Sequence, residues 1–210
     1  MKSIVYILVL LLFSCHSQED KRKITMSFKS IEEQANAIKE YHQASLKTKG
    51  KERLRNERLF FEAFPNSFIN MQEVFGFDEE KREAPLYHYE TGGKLINSFN
   101  NLSSIDKDDY YNKYINICID GVWEGDNIAY GFGIYNKLYD FPEDVLRVLR
   151  QRTDEEIRSV LRFLFDGPHP ENMKESYEKM YSRIKPIDVK VSDLLEQEYN
   201  KLLVESEHWY

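Results

Sequence analysis

The chain has 210 residues, of which 41% are hydrophobic and 14% are aromatic. This length fits one domain with a substantial core, and so many aromatic side chains exclude an intrinsically disordered chain. Acidic residues outnumber basic residues by 36 to 29, which makes the chain a poor partner for the phosphate backbone of nucleic acids and favours a soluble surface or a basic protein partner.

The N-terminus carries the most specific pattern of the sequence. After a short basic start, residues 4–13 form an almost unbroken apolar run. About ten apolar residues are too few to cross a bilayer, which needs ~20, but they have the length of a signal-peptide core. The ending Leu12-Phe13-Ser14-Cys15 resembles the lipobox of bacterial lipoproteins, which implies cleavage after Ser14 and a lipid on the Cys15 thiol. The alternative is an ordinary secreted protein in which Cys15 has no such role.

The residues after Cys15 indicate where such a lipoprotein is exposed. A single acyl chain holds a protein to a membrane only marginally, whereas bacterial lipoproteins as a family carry several, which gives stable attachment. The acidic pair Glu19-Asp20 resembles the surface-export signal of Bacteroidota lipoproteins, which implies exposure on the outer face of the outer membrane. A polar tether on the periplasmic face is the alternative. We therefore predict a signal peptide over 1–14, a lipidated Cys15 with its tether over 15–29, and a helical domain over 30–210.

The helical domain is predicted from apolar residues that recur every three to four positions. Ser30 with Glu33 three residues later has the pattern of a capping box and begins the first helix. A second helix runs to Phe64, and Pro65 either ends it or lies in the first turn of a third helix. Gly76 is expected to be the C-cap of the third helix.

Residues 77–94 form the longest predicted loop. Its charged first half is expected in solvent, whereas the apolar segment 85–89, which contains Tyr87 and His88, is expected to dock on the domain. Gly92-Gly93 is expected to be a hinge or a turn. It is not a phosphate-binding loop, because no Gly-Lys-Ser/Thr sequence follows and no strand pattern precedes it.

The stretch 106–141 is predicted to be the centre of the domain. Two helical patterns meet there at a short joint, residues 121–126, and Asp126 is expected to be the N-cap of the second helix. Cys118 lies on the apolar stripe of the first helix. Because an acylated Cys15 leaves Cys118 without a disulfide partner, we predict a buried thiol in the core rather than a nucleophile.

The C-terminal third contains further helical patterns. Pro142 begins a short helix, and Thr153 with Glu156 has the pattern of a second capping box. Residues 186–191 can be extended, and Ser192 is expected to cap the final helix. The sequence as a whole predicts an all-α fold, a single domain of about nine antiparallel packed helices.

No motif of catalytic or metal chemistry stands out in the sequence. The histidines are scattered and no cysteine pair has zinc-type spacing, so no metal and no cofactor is expected. Asp166 and His169 flank a Gly-Pro turn, and an acid–base role for this pair is the alternative to a simple helix stop, which we favour. Asp120, Glu124 and Asp126 surround the central joint, but their spacing matches no calcium loop, so capping and solvation are the expected roles.

Two parts of the domain carry a resemblance to other proteins. Phe64-Pro65-Asn66-Ser67-Phe68 followed by Phe75-Gly76-Phe77, together with the stretch 110–123, is similar to uncharacterised helical Bacteroidota proteins. Some of those proteins are encoded near toxin systems and are suspected of being immunity proteins. The resemblance implies a binding role at the envelope, with a secreted toxin domain or an envelope protein as the partner, and it implies no catalytic residues.

We predict that such a partner contacts an acidic, aromatic surface made by the central joint and the long loop, because aromatic side chains anchor interfaces and charge steers encounter. The candidate residues are Tyr87, His88, Trp123, Glu124 and Asp126. The mechanism is occlusion of a basic toxin site. The other interpretations are an envelope hydrolase that uses Asp166 and His169, and an accessory lipoprotein of an outer-membrane uptake system.

Overall fold

Ten α-helices make up most of the described part of the chain, which in this computed structural model is residues 26–78, 82–88, 90–122, 128–165 and 170–206. The helices are α1 (Ile31–Lys47), α2 (Gly50–Ala63), α3 (Phe68–Phe75), α4 (Gly92–Asn100), α5 (Lys107–Cys118), α6 (Ile128–Asp140), α7 (Pro142–Leu149), α8 (Asp154–Phe163), α9 (Pro170–Ile184) and α10 (Val189–Ser206). Two very short strands, β1 (Phe77–Asp78) and β2 (Arg82–Glu83), pair antiparallel between α3 and α4. The predicted all-α fold is confirmed, with ten helices in place of about nine.

The core is one continuous cluster that joins helices from both halves of the chain. Its N-terminal part contains stacked rings, since the ring centroid of Phe99 lies 4.1 Å from that of Phe64 and 6.1 Å from that of Phe61. Aliphatic side chains such as Leu149 and Leu195, both fully buried, fill the C-terminal part. Ring pairs of this kind add about 0.5–1.5 kcal/mol each beyond the area they bury. The high aromatic content of the sequence is therefore used in the core.

Side-chain caps begin two helices where the sequence predicts them. Thr153 and Glu156 form the predicted capping box of α8, in which each side chain accepts a hydrogen bond from the backbone N–H of the other residue. At α1, Ser30 Oγ accepts a hydrogen bond from Glu33 N as predicted. The Glu33 carboxylate, however, accepts its hydrogen bond from Lys29 N, at 2.7 Å. The Glu33 side chain therefore accepts from the backbone N–H of Lys29 and not from that of Ser30, as a capping box would require. The backbone N–H groups of Lys29 and Glu33 are both satisfied.

The start of α10 differs from the prediction. Asp188 Oδ1 accepts a hydrogen bond from Val191 N at 3.0 Å, whereas Ser192 is buried inside the first turn, where its hydroxyl donates to Val189 O. The prediction that Ser192 caps this helix and that residues 186–191 are extended is wrong. A carboxylate caps a helix as well as a hydroxyl does, and the earlier start allows Val191 to be buried.

Helices α8 and α10 pack against each other in a parallel arrangement. The ion pairs that join them are Asp154–Lys190, Arg158–Glu198 and Arg162–Glu205. Because the residue numbers rise together along both helices, α8 and α10 run in the same direction. Helix α9, which lies between them in the sequence, packs against α10.

Glu198 is a buried carboxylate in this parallel pair, with a side chain that is only 5% exposed. Arg158 Nη1 and Lys201 Nζ donate hydrogen bonds to its Oε1 at 2.9 and 2.7 Å. Burial raises the pKa of Glu198, but the hydrogen bonds from Lys201 and Arg158 outweigh burial, and the resulting pKa lies below the ordinary value. The carboxylate therefore stays charged and links α8 to α10.

Lys113 of α5 contacts the end of α2 from within the core. The residue is 7% exposed, and its Nζ donates hydrogen bonds to the carbonyl oxygens of Phe61, Glu62 and Phe64 at 2.7, 3.3 and 2.8 Å. These carbonyls belong to the last turn and the C-cap of α2, where a helix leaves carbonyls without intrahelical partners and carries partial negative charge. The ammonium group of Lys113 thus supplies hydrogen-bond donors to carbonyl oxygens that have no partner within α2.

Candidate functional site

The loop between α3 and α4 presents an aromatic surface made of Phe77, Tyr87 and His88, of which Tyr87 is half-buried; we name this surface the aromatic flap. The ring centroid of Tyr87 lies 5.8 Å from that of Phe77 and 5.8 Å from that of His88. Phe77 is 46% exposed and the His88 side chain is 74% exposed. Exposed aromatic side chains in mutual contact are typical of interaction surfaces. The structure thus brings Tyr87 and His88 together and adds Phe77, which the sequence analysis did not select.

Leu86 fixes the flap to the core. Its side chain is 1% exposed, and its backbone N–H donates to Val74 O at 2.9 Å. Gly92 permits this approach, because a Cβ at that position would lie 2.0 Å from Leu86 O and 3.2 Å from Phe75 Cδ1. The predicted docking of the apolar loop segment is confirmed at Leu86. The predicted hinge or turn at Gly92 is instead the first residue of α4.

A polar contact forms one edge of the flap. His88 Nε2 lies 3.1 Å from Glu83 Oε2, and both side chains are exposed, at 74% and 49%. A contact between two side chains this exposed contributes little to stability, because solvent competes with it and both side chains lose freedom when they pair. Its groups therefore remain available to hydrogen-bond with a partner at low cost.

The central joint continues from a fixed turn into residues outside the described part of the chain. Trp123, Glu124 and Asp126, including the predicted N-cap of α6, lie outside the described residues. Asp120, just before them, has φ +57°, a left-handed conformation that aspartate tolerates better than most residues. Its backbone N–H donates to Ser159 Oγ at 2.7 Å. The chain immediately before the joint is therefore hydrogen-bonded to α8.

Asp166 and His169, the pair of the hydrolase interpretation, also lie outside the described residues. The structure shows a different serine–histidine contact, in which His42 Nε2 lies 2.8 Å from Ser98 Oγ. Burial lowers the pKa of His42, and its ring centroid lies 5.3 Å from that of Phe60. The separation of 56 residues between His42 and Ser98 gave no signal in the sequence.

This serine–histidine contact has the geometry of a tertiary link rather than of a catalytic dyad. Ser98 lies in the last turn of α4, where the helix dipole disfavours a developing oxyanion. Among the described residues, no carboxylate hydrogen-bonds to the other ring nitrogen of His42, so the orienting group of a triad is not provided there. The contact joins α1 to α4.

Cys118 is fully buried at the end of α5, and burial raises the pKa of its thiol. A thiol that stays protonated and is shielded from solvent is a poor nucleophile and a poor metal ligand. The prediction that Cys118 belongs to the core is confirmed. In the ranges that the structure describes, no cluster of three or more His, Cys, Asp or Glu side chains is arranged to bind a metal ion.

A cleft of about 480 Å³ lies where α1 and α3 begin and α2 ends. Gln34 and Asn70 exchange two hydrogen bonds of 3.0 Å, and Gln34 Nε2 also donates to Ala63 O at 3.0 Å. Met26 and Phe28 form an apolar part of its wall. Because these amide groups already hydrogen-bond to one another, they link the three helices at the cleft and are not arranged for a ligand.

No family model, curated protein or solved structure matches this chain. No helix within the described ranges is both long enough and apolar enough to cross a membrane.

Proposed function

We propose that the protein is a lipid-anchored lipoprotein of the cell envelope whose helical domain binds a protein partner through the aromatic flap. The observation that carries the binding part is a cluster of contacting aromatic side chains next to the buried Leu86, in which Phe77 and His88 are exposed and Tyr87 is half-buried. The anchoring part is supported by the sequence that ends at Cys15. The lipid would attach the protein to the outer membrane, and the acidic pair after Cys15 favours its outer face.

The rings of the flap suit the anchor of an interface. Aromatic side chains offer a large contact area and lose little conformational entropy on binding, and a loop fixed by Leu86 has less freedom left to lose. His88 and Glu83 lie at the edge of the flap and can supply polar contacts at the rim of an interface.

The expected partner has a basic and partly apolar surface. A mature chain that begins at Cys15 contains 28 basic and 36 acidic residues, a net charge of −8. Long-range attraction then favours a basic protein and disfavours nucleic acid. An immunity role, in which the flap and the joint residues Trp123, Glu124 and Asp126 cover the basic site of a secreted toxin domain, is the form of the proposal that also agrees with the resemblance.

Metabolic labelling with an alkyne-bearing fatty acid tests the anchor. The wild type and a Cys118→Ser variant should incorporate the label and fractionate with membranes, whereas Cys15→Ser should do neither. Label retained in Cys15→Ser would rule out lipidation at that thiol. Complete protection of the wild type when intact cells are treated with protease would rule out exposure on the outer face.

Site-specific photo-crosslinking in cells tests the flap. A photoreactive phenylalanine analogue at position 77 or 88 should give a discrete cross-linked product, and the added substitution Tyr87→Ala should reduce its yield by about tenfold. The same analogue at Tyr139, which is 40% exposed on α6, is the matched control. Equal products from position 139, or none from the flap, would refute the proposal. A cross-linked basic toxin domain would support an immunity role, and a transporter subunit would support an uptake role.

A further inference from the structure

The connection between α1 and α2 is basic in a chain that is acidic overall. Residues 46–55, which we name the basic corner, contain five basic residues and one acidic residue, a net charge of +4 in a chain of net charge −7. The rest of the chain is therefore even more acidic than the total. The basic residues are Lys47, Lys49, Lys51, Arg53 and Arg55, and all of them are exposed.

Two large apolar side chains are exposed beside these charges. Leu46 is 73% exposed and Leu54 is 48% exposed. Lys47, Lys49 and Arg55 form no ion pair with another residue of the described part of the chain. Arg53 pairs with Glu57 at 3.4 Å. The corner thus combines the charges of Lys47, Lys49 and Arg55, unpaired within the described ranges, with exposed leucine side chains.

The charge distribution of the corner is unfavourable for α2 itself. Lys49 occupies the N-cap position and makes no side-chain hydrogen bond to the helix, whereas Ser30, Ser67 and Asp106 cap α1, α3 and α5. Lysine is a poor N-cap, and cations near a helix N-terminus oppose the positive end of the helix dipole. A lysine at the N-cap, opposed only by Glu52 in the first turn, departs from local stability rules and indicates a functional requirement at that place.

The corner is nevertheless well ordered. Thr48 N and Thr48 Oγ1 both donate to Ala44 O, and Asn56 Nδ2 donates to Thr48 Oγ1 at 3.1 Å. Gly50 then adopts φ +56°, the left-handed conformation that turns the chain into α2, and its surroundings are open. The charged side chains are therefore displayed on a fixed turn.

We propose that the basic corner docks on an anionic membrane surface, with its lysine and arginine side chains on lipid phosphates and with Leu46 and Leu54 in the headgroup region. Charge and exposed apolar side chains together are the features by which peripheral proteins bind such surfaces. A lipid surface offers phosphates and an apolar layer side by side, whereas the phosphate backbone of nucleic acid offers nothing apolar to the leucines.

The geometry allows this contact in a protein that is also anchored at Cys15. Helix α1 has 17 residues, so its two ends lie about 25 Å apart. The described chain enters at the N-terminal end of α1, and the basic corner lies at the other end. The ten residues 16–25 can span at most about 33–36 Å. That length is sufficient for the corner to reach the bilayer that holds the lipid.

Vesicle flotation with the unacylated chain 15–210 tests the inference independently of the lipid, because this chain contains every described contact. It should float with vesicles of phosphatidylcholine and phosphatidylglycerol, and should not float with phosphatidylcholine alone. Because each basic residue near an anionic surface contributes roughly fivefold to binding, Lys47→Glu/Lys49→Glu should lower the partition coefficient by more than ~25-fold. Leu46→Ser/Leu54→Ser should weaken binding that persists at high salt.

The matched control is Lys94→Glu/Lys174→Glu, which changes the net charge equally at two exposed lysines elsewhere, 70% and 76% exposed. It should bind like the wild type. An equal loss in this control would mean that only the net charge matters and would overturn the inference. Binding to soluble polyglutamate or to duplex DNA, without binding to anionic vesicles, would overturn it as well. Neither result would affect the proposal on Cys15, which fatty-acid labelling decides.

Discussion

Replacing Lys113 by methionine should destabilise the fold more than any surface substitution. Methionine keeps most of the buried stem and removes only the ammonium group. The Nζ makes two short hydrogen bonds, 2.7 Å to Phe61 O and 2.8 Å to Phe64 O, and a longer one of 3.3 Å to Glu62 O. Because Lys113 is only 7% exposed, solvent cannot replace these donors fully.

The expected magnitude follows from two opposing effects. Hydrogen bonds from a charged donor contribute about 1.5–3 kcal/mol each, so loss of the two short ones costs about 3–6 kcal/mol. Removing a buried ammonium group also removes its desolvation penalty, which offsets part of this cost. We therefore expect the free energy of unfolding of Lys113→Met to fall by about 2–4 kcal/mol.

Urea unfolding measures this change. With a slope m of about 2 kcal/mol per M, the midpoint of Lys113→Met should fall by about 1–2 M at unchanged slope. Lys94→Met, at a side chain that is 70% exposed, is the control and should stay within about 0.5 kcal/mol of the wild type. If Lys113→Met unfolds at the midpoint of the control, or above that of the wild type, the ammonium group does not hold the end of α2.

Three further predictions concern other buried groups. Gly133→Ala should lower the thermal midpoint by the equivalent of about 1–3 kcal/mol, because the new Cβ would lie within the contact distance of the buried Tyr114 hydroxyl; an unchanged midpoint would contradict that packing. The lowered pKa of Glu198 adds stability that is present above about pH 4.3, the unfolded value, and is lost as the pH falls through the lower folded pKa. Glu198→Gln should therefore be less stable than the wild type at pH 7 by urea unfolding, with a difference that shrinks at acid pH, and a constant difference would refute this role. Cys118 should not react with Ellman's reagent until denaturant is added, and immediate reaction in native buffer would show that the thiol is not buried.

Local signals in the sequence predicted much of the fold. The Thr153–Glu156 box and Pro142 each begin a helix where expected, and Gly76 ends α3, because capping and backbone constraints act within a few residues. The cap of α10 was misplaced because Asp188 and Ser192 are both acceptable caps, and the choice depends on which start buries Val191. Tertiary packing decides which of the two residues caps the helix, and the apolar periodicity of the sequence carries no information about that packing.

The same distinction explains what was missed at the candidate site. Tyr87 and His88 were selected from composition, but Phe77 joins them only because Leu86 packs beside Gly92 and folds the loop back. Lys113 was not recognised because a charged residue in a helical pattern is assigned to the solvent face. Its partners are carbonyls about 50 residues away in the chain, which no local pattern reveals.

Because Gly92 has no side chain, partner binding at the aromatic flap is expected to be coupled to the stability of the whole domain. Leu86 fits into the core only because Gly92 leaves space for it. A ligand bound to Phe77 and Tyr87 would therefore be coupled to α3 and α4 through this one buried side chain. A free ligand concentration one hundred times Kd should then raise the unfolding free energy of the whole domain by about 2.7 kcal/mol, and should not only reduce the mobility of the loop. Amide hydrogen exchange slowed along α3 and α4, remote from the contact itself, would be the visible trace of an occupied flap.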